Sequence, residues 1–167
     1  MLEDAYRYKV WADDRTLAAL ADFEHKNPAS PGLAFMRQQL NHMVIVEELF
    51  KARLLGERAP HPATNTEVVP DLRVLTQRLT ASNAWATDYL TRLASTELCS
   101  PLSFVFADGQ HGTMTRQEIF FHLINHGTYH RGAIGHALDL GGGKRPADTY
   151  SVFIHGAEPQ RRQRAGG

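Results

Sequence analysis

The 167-residue chain carries 18 Lys and Arg against 18 Asp and Glu, with nine histidines and one cysteine. This balance, with an isoelectric point near 7.1, leaves no basic footprint for nucleic acid, and the single cysteine rules out an intrachain disulfide. No apolar run is long enough to cross a bilayer, and the charged start MLEDAYRYKVWADD is unlike a signal peptide.

These totals predict a soluble cytoplasmic protein with one domain over residues 1–157 and a disordered tail over 158–167. Four long helical patterns follow in chain order. The first runs roughly from Leu2 to Asp22, with Tyr6, Val10, Leu17 and Leu20 among its apolar positions, and ends at HKNPASPG. Ser30 and Pro31 then supply an N-cap and a first-turn proline for a second helix that Gly56 closes. After a surface connection over 57–69, Pro70-Asp71 opens a third helix expected to reach Leu98. Cys99, beside that end, reads as a small apolar residue.

SFVFADGQHGTMT breaks the helical pattern and reads as a short hairpin or an irregular loop. Thr115 and Glu118 form a capping box for the fourth helix, which stops at Gly141-Gly142-Gly143. A last helical turn is expected around Thr149 to Ile154. The predicted class is therefore all-α: an antiparallel four-helix bundle with a hairpin or loop before the last long helix.

That last long helix contains HLINHGTYHRGAIGHAL, with His122, His126 and His130 four residues apart. At about 100° per residue, His126 and His130 fall inside the stripe defined by Ile119, Phe120, Leu123, Gly127, Ile134 and Leu138. His122 lies at its edge and His136 outside it. Two imidazoles on successive turns can converge on one point, as half of a metal site, although an inward histidine is also commonly a hydrogen-bonded core residue. On the second helix, in NHMVIVEELF, His42 flanks the apolar face and Glu47 lies within it. A buried carboxylate needs a partner, such as a metal-bound histidine or an arginine. The remaining histidines at 25, 61, 111 and 155 fall on loops or ends and read as solvated.

NHMVIVEELF together with HLINHGTYHRGAI resembles the signature of the DinB/YfiT-like family of bacterial metal-binding four-helix bundles. YKVWADDRTLAAL resembles that family's first helix, with Asp13 where Asn is common and Ala133 in place of a frequent Gln. The resemblance covers nearly the whole chain and implies metal ligation by His42, His126 and His130. Around them it leaves Glu47, Arg131 and His122 as possible supporting residues. Arg131 is expected to pair with Glu47 or another acid in preference to facing the pocket as an anion contact. Gly132, costly in mid-helix, suggests close approach of a backbone or ligand.

Three imidazoles leave a divalent transition ion with at least one open position; all-nitrogen ligation suits zinc, nickel, copper or iron without choosing among them, and zinc or nickel is the expected cofactor. H-E-x-x-H is absent, which sets a zincin peptidase aside. By resemblance, the leading expectation is a metal-dependent transferase that activates a small thiol as its thiolate and adds it to an electrophile. Alternatives are a non-catalytic, stress-associated metal-binding bundle and a metal-assisted hydrolase. Tyr8, Trp11 and Phe106 are expected to wall the pocket, and the family resemblance implies a homodimer.

Overall fold

The computed structural model describes residues 1–162. Its elements are α1 (Leu2–Lys26), α2 (Gly32–Leu55), α3 (Leu72–Arg92), α4 (Ser95–Leu98), β1 (Pro101–Val105), β2 (His111–Thr115), α5 (Arg116–Leu140) and α6 (Tyr150–Ala157), followed by a 3-10 turn at Pro159–Arg161. The protein is mainly helical, and no described helix is long and apolar enough to cross a membrane.

Helix ends follow local chemistry, with three departures from the sequence expectations. α1 runs four residues past Asp22, because nothing before Pro28 interrupts it; Asn27 closes the helix by donating its backbone N–H and side-chain amide to Phe23 O. Ser30 starts α2 through its carbonyl, which accepts from Leu33 N at 3.2 Å, and its hydroxyl makes no cap. α3 stops at Arg92 instead of Leu98. Leu93 and Ala94 are extended, and Glu97 reaches back to accept the Ala94 N–H at 3.0 Å, which restarts the chain as the single turn α4. Cys99, just beyond, is exposed.

Elsewhere the local signals hold. Asp71 caps α3 by accepting from Val74 N, and Thr115 with Glu118 forms the reciprocal capping box of α5. The segment before α5 is an antiparallel hairpin in which Pro101 pairs with Thr115 and Val105 with His111. Of the expected tail, residues 158–162 are described and include the 3-10 turn; residues 163–167 lie outside the described part.

α5 packs on α1 and α2, and α3 packs on the same two helices from the other side. Buried side chains form two apolar clusters at opposite ends. One joins Leu17, Leu20 and Phe23 to Met36, Leu40, Leu75, Leu79, Ile134 and Leu138. The other joins Tyr6 to Phe50, Leu54, Ala86, Leu90, Ile119, Phe120 and Leu123. These memberships fix chain direction. α1 and α5 run from the second cluster to the first, whereas α2 and α3 both run from the first to the second. The expected alternating antiparallel order therefore fails for α2 and α3. Residues 56–71 make the difference, because that segment returns along the molecule as a long crossover instead of a local turn.

Between the clusters lies a buried polar layer. Lys9 Nζ meets Asp13 Oδ2 at 2.7 Å, Asn83 Oδ1 at 2.7 Å and the Glu47 carboxylate. Arg131 donates to Asp13 Oδ1 and Asp148 Oδ2, both at 2.8 Å. Asp148 also accepts from the Tyr8 hydroxyl at 2.5 Å. Burial alone would pull the Lys9 ammonium down, but Asp13 and Glu47 outweigh it and hold it charged. Burial likewise opposes the Asp13 carboxylate, and Lys9 and Arg131 overcome it, lowering its pKa.

Candidate metal centre

α2 and α5 run antiparallel, so residues on their facing sides pair in a falling register. Gln39 meets His130, His42 meets His126, and Phe50 meets His122. The three nitrogens offered by His42, His126 and His130 lie within 4.8 Å of one another. His42 Nε2 and His126 Nε2 stand 3.0 Å apart. Tetrahedral ligation at a zinc–nitrogen distance of 2.0–2.1 Å would place two such atoms roughly 3.3 Å apart.

The opposite ring nitrogens explain why these atoms face inward. His42 Nδ1 lies 2.8 Å from the Thr64 carbonyl, an acceptor only, so Nδ1 carries the proton and Nε2 is left with its lone pair. His130 Nδ1 lies 2.6 Å from Gln39 Oε1, which orients that ring in the same way. Such outer hydrogen bonds set tautomer and aim in metal-ligating histidines. Burial first, then the neighbouring imidazoles, brings the His126 pKa down to about 3; burial and His42 bring His130 down to about 4. Both rings are thus neutral near pH 7, the form a metal requires. Two imidazole nitrogens at this separation have a proton or a cation between them, and the donor set fits a divalent transition ion.

The other expected site residues are placed differently. His122 stacks on His126 with ring centroids 5.3 Å apart and lines an adjoining cavity without joining the cluster. Glu47 contacts Lys9, with Oε2 unpartnered, and touches none of the three imidazoles. Arg131 takes the structural role, but with Asp13 and Asp148 as its acids. Gly132 is exposed, and a Cβ there would meet nothing within 4 Å. Close approaches occur instead at Gly135, where a Cβ would lie 2.7 Å from Arg145 Cγ, and about one and a half turns before Gly132 at Gly127, where it would lie 2.7 Å from Arg131 Nη1 and 3.6 Å from Lys9 Cε. Tyr8 and Trp11 pack with Phe153 of α6, away from the cluster, whereas Phe106 does wall the cavity. His61 is paired, not solvated: it shares Glu48 with Arg78.

Sequence reasoning missed Gln39 and Thr64, the two residues that orient His130 and His42. Gln39 was within reach, since it lies one turn before His42 on the same helix face. Thr64 carried no signal, because its place depends on the crossover's path.

The class defined by these observations is a mainly helical protein with three histidines gathered between two long helices. The sequence profile of the DinB family matches residues 1–163, and the chain belongs to that family. Neither a curated protein nor a solved structure matches it significantly.

Proposed function

We propose that residues 1–157 form a four-helix bundle domain that binds one divalent transition ion, zinc or nickel, through His42, His126 and His130. In this reading the protein is a cytoplasmic transferase joining a low-molecular-weight thiol to an electrophile. The observation that carries the proposal is the convergence of three imidazoles beside an open cavity of about 360 Å³. When bound, the ion would supply Lewis acidity that makes a thiol acidic near neutral pH.

The chain's own residues do the rest. Gln39 and Thr64 hold two ligands in register, and the largely apolar cavity wall can seat the apolar part of a guest. The thiol gives up its proton to solvent, and its sulfur electron pair forms the new carbon–sulfur bond. The electron pair of the bond broken at that carbon departs with the leaving group or, in an addition, moves to the neighbouring atom, which takes up a proton from solvent. His122 faces the cavity as a neutral ring, its pKa lowered by burial and by Arg53, and is free to hydrogen-bond to a guest. The homodimer expected of the family has apolar surface available in Phe121 and Tyr129, exposed on the outer side of α5.

The test is a thiol panel against the cobalt-substituted protein, followed by turnover with an electrophilic dye. Thiols should change the cobalt spectrum and accelerate dye conjugation in the wild type but not in H126A. If no thiol perturbs the spectrum, the transferase reading is wrong. Ester turnover without thiol would favour the hydrolase, and tight ion retention with neither activity the non-catalytic bundle.

A further inference from the structure

The cavity beside the histidines carries one feature that the metal does not use. Its walls are mostly apolar, built from Val46, Leu49 and Phe50 of α2 and from Phe106 and Met114 of the hairpin region, with His122 beside the histidine cluster. Set into them is a single cation, Arg53. Its guanidinium carbon lies 4.8 Å from the ring centres of Phe50 and Phe104 and 5.5 Å from that of Phe106. One N–H reaches the Val105 carbonyl at 3.3 Å, and among the described residues no carboxylate pairs with the group. Burial alone perturbs Arg53, lowering its pKa.

A guanidinium on an aromatic shelf is partly desolvated and keeps most of its five donors free. The pattern differs from that of Arg131, whose acids are supplied by the fold. Arg53 also anchors the hairpin through Val105, but that contact uses only one donor. The guanidinium lines a cavity shared with His42 and His126.

Spacing along α2 adds a length. His42 and Arg53 are eleven residues apart, a rise of about 16 Å, and helical side chains lean back towards the N-terminus. The guanidinium over Phe50 therefore stands on the order of 10 Å from the imidazoles, with Phe50 and the half-buried His122 ring between them.

We propose that this cavity binds an organic carboxylate with an apolar body, its anionic end on Arg53 and its other end towards the three histidines. In the transferase reading, on which this assignment of the ligand as substrate rests, it is the electrophile that carries the carboxylate. A charge-assisted pair in a partly desolvated site separates a carboxylate from its neutral isostere by about ten- to a hundredfold in Kd.

The test uses 4-phenylbutanoate and its neutral amide, titrated by calorimetry into metal-loaded wild type, R53Q, R53K and M114W. The wild type is also titrated after chelator treatment. The acid should bind the wild type at least tenfold more tightly than the amide, with the preference lost in R53Q, partly kept in R53K and unaffected by removing the ion. M114W should weaken both ligands by filling the cavity. Equal binding of acid and amide, no binding of either, or a preference that survives in R53Q would overturn the proposal. A preference that disappears with the ion would place the carboxylate on the metal and overturn it as well. Because the stripped protein is measured too, failure of the metal reading leaves this result separately legible.

Discussion

Two glycines one and a half turns apart on α5 have opposite expected responses to the same substitution. Gly127→Ala pushes a methyl group against Arg131 and Lys9 in a filled layer, which should cost about 1–3 kcal/mol. Gly132→Ala adds a methyl group in open space on a helix and should stabilise by roughly 0.5–1 kcal/mol. Urea denaturation of the two variants checks the contrast, and equal signs would contradict it. Histidine burial gives a second residue-scale prediction. In the metal-free protein His126 and His130 resist protonation in the fold, whereas the unfolded chain takes up protons at the ordinary histidine pKa near 6.5. Stability should hold above pH 7 and fall as pH drops from 6.5 towards 4.5, a window above the usual carboxylate range. Denaturation midpoints of chelator-treated protein at pH 7.5, 6 and 5 test this, and the H126A/H130A double variant should flatten the slope. At this scale the sequence was informative about grouping: the helical wheel picked out His126 and His130, which meet His42, although the fold half-buries His122 as much as the other two. It misjudged Gly132, because a glycine's cost in a helix says nothing about which neighbour stands over it.

Among the elements, α1 has the least obvious task. Its charged residues suggest a solvated face, yet Lys9 and Asp13 are buried at the centre of the polar layer and link α1 to Glu47 on α2, Asn83 on α3 and Arg131 on α5. Lys9→Met leaves Asp13 and Glu47 facing each other without their shared cation and should cost about 3–5 kcal/mol in urea denaturation. A loss below 1 kcal/mol would mean that water or protonation of Glu47 compensates. Periodicity revealed that α1 is a helix but could not reveal this layer, because Lys9 and Asp13 four apart look the same in sequence as a surface ion pair. The hairpin was legible as a break before the Thr115 capping box. Its contribution to the cavity, through Phe106 and the Arg53–Val105 contact, depends on how it folds against α2.

For the whole molecule, chain direction was the feature hardest to foresee. Four amphipathic helices joined by connections of moderate length suggest alternating neighbours, and residues 57–69 carried no signal that they run the length of the fold. That crossover matters to the site, because it brings Thr64 to His42 and His61 to Glu48. The same scale holds the dimer expectation: light scattering should give twice the 18.7 kDa chain mass, with F121E/Y129E shifting it to a monomer. A wild-type monomer would contradict that expectation.

The central claim concerns ligation itself and is tested most directly by elemental analysis of protein purified without an immobilised-metal column. Wild type, after reconstitution with zinc or nickel and extensive dialysis, should retain about one ion per chain, while H126A of unchanged helical content should retain almost none. Wild type that holds no stoichiometric ion, or H126A that holds as much as wild type, would contradict the account.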